Sequence, residues 1–129
     1  MVKALIIYDE KTSSKNQCET LVSELKKKKK VNCDHLIIKK KFFHCLPNIL
    51  IFTYLSLINL FKISKNKDYN LILSCGRTAA PYNLLFSKKD YTQSYHILDP
   101  YFRRYQFTNI IIPYHDYKKM KIFKNIIFT

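Results

Sequence analysis

Glycine is nearly absent from this chain, since Gly76 is the only one in 129 residues. A chain of this length with ordinary usage of ~7% would hold about nine. Glycine tolerates positive φ, and its missing Cβ lets another backbone or a ligand approach closely. Loops built on positive φ therefore lack their usual residue everywhere except at position 76. That position is the first candidate for a specialised turn.

Tryptophan is absent, and arginine and alanine are scarce, with three residues each against 20 lysines. The formal charge of +14 is typical of proteins that bind nucleic acid or an anionic membrane. Lysine, isoleucine, asparagine, tyrosine and phenylalanine are also the residues that adenine- and thymine-rich codons supply. Compositional drift on a solvated surface and a selected polyanion-binding surface both remain open. No nucleic-acid-binding motif is present, so nucleic acid is not the predicted partner.

Paired cysteines are missing too. The four cysteines are Cys18, Cys33, Cys45 and Cys75, with no C-x-x-C pair and no paired histidine spacing. This spacing argues against a zinc site and against a disulfide framework. We predict reduced thiols in a cytoplasmic protein without metal or cofactor, with Cys18 and Cys33 as small core residues.

No long apolar run is present. Lys3 and the acidic pair Asp9–Glu10 interrupt the apolar start, so it does not resemble a secretory signal. The strongest apolar segment, Ile49 to Phe61, is shorter than the ~20 residues of a membrane span and contains polar residues. Its position between two predicted strands favours a crossover helix packed on a sheet. A peripheral membrane-docking helix and a true span remain the alternatives.

The remaining pattern alternates apolar runs with helical stripes, which predicts an α/β fold with a Rossmann-like parallel sheet and helices on both faces. Predicted strands are Val2–Tyr8, Val31–Ile38, the run from Leu71 that stops at Gly76, Ser94–Leu98, Asn109–Ile112 and Asn125–Thr129. Predicted helices lie near Lys15–Lys28, Pro47–Phe61 and Thr78–Ser87. The first shows a capping box, Ser14 to Gln17, followed by an apolar stripe at Cys18, Leu21, Val22 and Leu25.

The stretch around Gly76 predicts a binding corner. Thr78 is placed as an N-cap and Pro81 in the first turn of a helix that follows the strand. A helix N-terminus carries partial positive charge, and Arg77 adds a full charge beside it. Anion binding is one interpretation, and a plain strand-to-helix turn is the other.

Two more polar landmarks follow later strands, Asp99–Pro100 and His115–Asp116. Ligands of open α/β sheets gather at the carboxyl ends of the strands, where all three landmarks would lie. His115 and Asp116 are the candidate acid and base in this set. Ordinary loop residues are the alternative interpretation of both.

These residues also carry a resemblance to a family. The segments S-C-G-R-T-A-A-P, L-D-P and F-T-N-I-I-I-P-Y-H-D resemble the N-terminal half of the elongated-mitochondria family, named for a plant factor in mitochondrial division. That family's pattern runs C-G-R-R-x-A-P, Q-D-P and R-F-D-hydrophobic-P-E-H-D. This sequence departs from it at Leu98, at Thr108–Asn109 and at Tyr114. The resemblance implies a glycosyltransferase-B-like architecture of two Rossmann-like domains.

The family's first strand runs into a loop of the form D-G-x-x-G-x-x-N-Q. Asp9, Asn16 and Gln17 align with it, but both glycines are lost. With the strand-end landmarks, the resemblance implies that the ligand-binding residues are Asp9, Asn16, Gln17, Cys75, Gly76, Arg77, Asp99 and Pro100.

The functional expectation follows from this resemblance. We expect residues 1–129 to form one Rossmann-like domain, incomplete at its C-terminus, from a truncated or split gene. Its partner would be a separately encoded C-terminal half, and its ligand an anionic or nucleotide-sugar-type molecule. Because the donor site would lie in that missing half, the chain alone would not catalyse. The alternative is a basic protein that binds nucleic acid or an anionic membrane surface.

Overall fold

A computed structural model describes residues 1–59, 69–87, 91–113 and 124–128. Its centre is a single sheet of six parallel strands in the order β2-β1-β3-β4-β5-β6. The strands are β1 Val2–Asp9, β2 Val31–Ile38, β3 Leu71–Cys75, β4 Gln93–Ile97, β5 Asn109–Ile112 and β6 Ile126–Phe128. The predicted α/β class with a Rossmann-like parallel sheet is confirmed.

Three α-helices accompany the sheet in the described residues: α1 Thr12–Lys28, α2 Asn48–Asn59 and α3 Ala80–Phe86. Short 3-10 helices cover Phe42–Cys45, Arg77–Ala79 and Arg104–Gln106. All three α-helices fall where the sequence predicts them. The predicted end of the second at Phe61 lies outside the described residues.

Both predicted N-caps are wrong. α1 begins three residues before Lys15, its N-cap is Lys11, and Ser14 is buried inside the first turn. The capping box therefore does not form, because its serine packs inward against the sheet. Thr78 lies within a 3-10 helix capped by Gly76, and this helix runs directly into α3.

The sheet is buried on both faces, which explains the continuous apolar run of β1. Ala4, Ile6 and Tyr8 of β1 pack with α1 on one face. On the other face, Leu5 and Ile7 belong to a cluster that includes Ala79. A further cluster on the second face joins α3 to β5 and to the connection between β4 and β5, and Phe52 of α2 packs against it.

The buried stripe of α1 is offset from the predicted one. Ser14, Cys18 and Val22 are buried at a spacing of four residues, whereas Leu21 is exposed. Cys18 is a small core residue as predicted, and Cys33 is partly buried against the same cluster.

α2 connects β2 to β3, which confirms the predicted crossover helix. It packs through Ile51, which is fully buried, and through Phe52. Among the described residues, no helix has the length and apolarity needed to cross a membrane.

The strand order creates a crevice at one edge of the sheet. The chain leaves β1 through α1 to β2 on one side, then returns through α2 to β3 on the other. α1, which follows β1, packs on one face of the sheet, whereas α3, which follows the neighbouring strand β3, packs on the other. A doubly wound sheet binds ligands outside the carboxyl ends of the strands at such a switch point.

Candidate functional site

A cleft of about 700 Å³ opens at this switch point, outside the carboxyl ends of β1, β3 and β4. Its size suits a small-molecule ligand. The described residues that line it are Asp9, Glu10, Lys11, Ser13, Ser14, Ile38, Lys40, His44, Gly76, Arg77, Thr78, Leu98, Asp99 and Tyr101.

Gly76 forms the floor of the cleft and has the specialised backbone that its isolation in the sequence predicts. Its φ is +91° and its ψ is 156°, a region that essentially only glycine adopts. A Cβ there would lie 3.2 Å from Asp9 Oδ2 and 3.3 Å from Ser14 Oγ. The conformation therefore strains any residue with a side chain, and a Cβ would also force Asp9 or Ser14 to shift by a few tenths of an ångström.

Arg77 stands at the rim of the cleft with its side chain exposed. One terminal nitrogen of its guanidinium donates to the Leu46 carbonyl oxygen at 2.7 Å. Its own carbonyl oxygen accepts a hydrogen bond from the Asn48 amide at 3.0 Å. A guanidinium has five N–H donors, so this tether fixes the side chain while leaving donors for a ligand.

Asp9 sits opposite Gly76 at the end of β1. Its Oδ1 accepts the backbone N–H of Lys11 at 3.0 Å, a turn that leads the chain into α1. Glu10 adds a second carboxylate to this wall, while Lys11, Lys40 and Arg77 supply cations. The lining therefore mixes both charges, with carboxylates facing the cations.

The third wall is the loop after β4, and its backbone is unusual. Leu98, Tyr101 and Arg103 all have positive φ, at 77°, 62° and 41°. Residues without glycine's freedom hold such angles only where surrounding contacts impose them, which happens most often at ligand sites.

Hydrogen bonds to Asp99 hold this loop. Its carboxylate accepts two bonds from the Arg104 guanidinium, at 2.8 and 2.9 Å, and one from the Tyr101 N–H at 2.9 Å. Partial burial opposes ionisation of Asp99, but the Arg104 and Tyr101 hydrogen bonds outweigh it and lower the pKa below its usual value. Asp99 is therefore an ionised structural anchor as well as part of the cleft wall.

His44 is a cleft residue that the sequence analysis missed. Its Nδ1 accepts the Lys41 N–H at 2.7 Å, so its proton resides on Nε2, which lies 3.2 Å from the Tyr82 hydroxyl. Burial, with help from Lys41 and Lys40, lowers the pKa of His44. The ring is therefore neutral at physiological pH, and both nitrogens are engaged within the protein.

The eight predicted ligand-binding residues divide into two groups. Asp9, Gly76, Arg77 and Asp99 line the cleft. Of the other four, Gln17, Cys75 and Pro100 lie beside or beneath it, whereas Asn16 is exposed on α1 and is not part of the lining.

The second group supports the cleft. Pro100 is buried, and its carbonyl oxygen accepts from the Asn48 amide at 2.7 Å. Cys75 is buried under the floor, where its thiol donates to Gln17 Oε1 at 3.2 Å. A hydrogen bond with the Cys18 thiol, with a smaller contribution from Ser14, lowers the pKa of Cys75.

A buried polar network lies behind the cleft, within the sheet. Ser74 Oγ lies 2.6 Å from His96 Nδ1 and accepts from the Asn83 amide at 2.6 Å. All three residues are fully buried. Burial lowers the pKa of His96 to about 3, against a weak opposing effect of Asp99. The polar residues that interrupt the apolar strands β3 and β4 are the sequence signal for this network.

The candidate acid and base, His115 and Asp116, lie outside the described residues, as does Tyr114. Within the described ranges, no group of three or more His, Cys, Asp or Glu side chains is placed to hold a metal ion.

The comparison with protein families follows this geometry. A family described as Mitochondrial fission ELM1 matches residues 14–129, nearly the whole chain. This chain belongs to the mitochondrial fission ELM1 family. The ELM1 match begins inside α1 and includes the Gly76 turn and the strained loop after β4, whereas Asp9 precedes it. No curated protein and no solved structure matches this ELM1-family chain significantly.

Proposed function

We propose that this ELM1-family chain is the N-terminal half of a glycosyltransferase-B-like protein, and that its cleft binds a nucleotide-sugar-type or sugar-phosphate-type ligand. The observation that carries the proposal is the cleft at the β1–β3 switch point, built around Gly76. Parallel α/β sheets bind small molecules at such points.

The chemistry of the lining supports this class of ligand. A sugar phosphate presents hydroxyl groups, which donate to carboxylates, and phosphate oxygens, which accept from cations. Asp9 and Glu10 offer the carboxylates, and Arg77 and Lys40 offer the cations. Tyr101, largely exposed at the mouth, provides an apolar surface for a sugar ring.

We further propose that the chain binds this ligand without transferring sugar by itself. In a glycosyltransferase-B-like protein the second domain holds most of the donor, and the first domain faces the acceptor. Catalysis would therefore need a C-terminal half, which is the expected partner of this domain. The dissociation constant of the ligand from the single domain should be about millimolar, because one domain alone encloses and desolvates the ligand incompletely.

An NMR titration of the full chain tests the proposal. Glucose 1-phosphate and inorganic phosphate are titrated separately into the isotope-labelled protein. We expect amide shifts at Asp9–Lys11 and at Gly76–Ala79, larger for the sugar phosphate because its hydroxyl groups reach the carboxylates.

Two variants provide the controls. Arg77→Ala should abolish the shifts. Arg77→Lys should retain them in part, since lysine keeps the positive charge but lacks the paired N–H donors of the guanidinium. Lys26→Ala, at the far end of α1, removes the same charge away from the cleft and should bind normally. Shifts centred on residues 26–30, or sugar transfer by the chain alone from a nucleotide sugar, would refute the proposal.

A further inference from the structure

The outer side of α2 carries large apolar side chains that are exposed within the described part of the chain. Phe42 is 90% exposed, and five further large apolar side chains are 40–57% exposed. We call this set the docking face: Phe42, Leu46, Ile49, Leu50, Tyr54 and Leu57.

These side chains form one continuous surface. Ile49, Leu50, Tyr54 and Leu57 project from one side of α2, opposite the buried Ile51. The ring of Phe43, 5.4 Å from that of Tyr54, joins the preceding 3-10 helix to α2. Among the exposed residues of α2, Thr53 is polar, but the large side chains are apolar. A surface helix normally presents charged and polar residues to solvent, so the exposed side of α2 is unusually apolar.

Positive charge borders the docking face. Lys39, Lys40 and Lys41 are exposed and directly precede Phe42. In the sequence, no acidic residue occurs from His35 to Lys67, while that segment contains six lysines. A partner that binds the docking face must therefore offer both an apolar surface and negative charge.

We propose that the docking face binds the surface of an anionic lipid bilayer. Helix α2 would lie in the plane of the interface, its apolar side chains among the acyl chains and the lysines among the headgroups. At about 18 Å, α2 is much shorter than the ~30 Å hydrocarbon core, which fits a helix that lies on a membrane. Each lysine near an anionic surface strengthens binding about fivefold.

A bilayer fits better than a second copy of the chain. A symmetric dimer through the docking face would bring two lysine clusters to one interface without acidic partners from residues 35–59. An anionic bilayer supplies apolar interior and negative headgroups together.

Vesicle co-sedimentation of the full chain tests this proposal. The vesicles are phosphatidylcholine alone or phosphatidylcholine mixed with phosphatidylglycerol. We expect binding to the mixed vesicles that is at least about tenfold tighter and weakens with added salt. Equal binding to both vesicle types, or to neither, would overturn the proposal.

Paired variants separate the two contributions. Phe42→Ser with Leu50→Ser should weaken vesicle binding at least about tenfold. The control, Tyr105→Ser, removes a 73% exposed aromatic ring away from the docking face and should bind within about twofold of wild type. Lys39→Glu with Lys41→Glu should also weaken binding, whereas Lys26→Glu with Lys28→Glu makes the same charge change on α1 and should have little effect. If the control variants lost vesicle binding to the same degree, the attraction to the vesicles would be unspecific and the proposal would be refuted.

Because the chain has no tryptophan, a single introduced one reports the depth of insertion. The emission of Phe42→Trp should shift to the blue on anionic vesicles and be quenched by brominated lipids, while that of Tyr105→Trp should not change. If the docking face instead forms dimers, sedimentation would show a dimer that Phe42→Ser with Leu50→Ser dissociates, and Phe42→Trp would show no quenching by lipid.

Discussion

Gly76 allows the floor of the cleft to come close to Asp9 and Ser14. We expect Gly76→Val to lower the free energy of unfolding by about 1–3 kcal/mol, because valine cannot adopt a φ of +91° without strain. Urea titration measures this loss. Thr78→Val, two residues along in an ordinary 3-10 turn, is the control and should change stability by less than about 0.5 kcal/mol. Equal stability of Gly76→Val and wild type would contradict the strained turn.

His96 should make stability depend on pH. Its pKa in the folded protein is about 3, against an ordinary value of 6.5, so the unfolded chain binds a proton that the folded protein rejects. The contribution of His96 to the free energy of unfolding is therefore fully present above pH 6.5. Below pH 6.5 it falls by up to about 1.4 kcal/mol per pH unit.

Urea titrations at several pH values below 6.5 measure this slope. In His96→Gln the slope should become shallower, although the weaker contribution of His44 should persist because its pKa is lowered in the same direction. Identical slopes for wild type and His96→Gln would show that His96 is protonated or accessible in the folded protein.

At the scale of elements, Asn48 joins the start of α2 to two walls of the cleft. Its amide donates to the Arg77 and Pro100 carbonyl oxygens, and the residue is buried. Asn48→Ala should lower stability by about 1–3 kcal/mol, because the buried Pro100 carbonyl oxygen loses its donor and the Arg77 carbonyl oxygen keeps only the Ala80 N–H. Thr53→Ala in the same helix is the control, since that exposed hydroxyl bonds only the Ile49 carbonyl within α2.

Thr53→Ala should stay within about 0.5 kcal/mol of wild type by urea titration. If Asn48→Ala were equally mild, water would be replacing the lost donor and the link between α2 and the cleft would carry little energy.

The elements themselves were largely predictable, and their connections were not. β2 and β5 match their predicted bounds. In β5 a short apolar run between polar segments marks the strand locally. Asn48 and Pro100 are 52 residues apart in the chain, so their hydrogen bond leaves no local pattern. Leu98, which has a positive φ, likewise donates its N–H to the Ile111 carbonyl oxygen at 2.8 Å, a contact that no local pattern shows. The inward position of Ser14 also depends on the sheet, which is why the capping box failed.

For the candidate site, sequence reasoning succeeded where a strand end is locally marked. Asp9, Gly76, Arg77 and Asp99 each lie at a strand end or within two residues of one and do line the cleft. His44 reaches the cleft from the connection between β2 and α2, and no periodic pattern marks that approach.

At the scale of the whole molecule, the sheet should be most stable at its centre. β1 pairs on both sides, with β2 and β3, whereas β6 pairs only with β5 among the described strands. Amide hydrogen exchange followed by NMR should therefore be slowest in β1 and β3 and fastest in β6, since local opening needs fewer contacts to break at an edge. Protection in β6 equal to that in β1 would mean that the sheet opens only as a unit.

Gly76 also has a genetic consequence. Every single-base missense change of a glycine codon introduces alanine, serine, cysteine, arginine, aspartate, glutamate, valine or tryptophan, and all of these carry a Cβ. Each would be strained at a φ of +91° and would press on the side chains of Asp9 and Ser14. A lineage whose codons drift toward adenine and thymine can replace glycines elsewhere by small steps, but at this codon each such step would damage the fold. The one remaining glycine therefore marks the position that a library of random mutants should show as least tolerant of substitution.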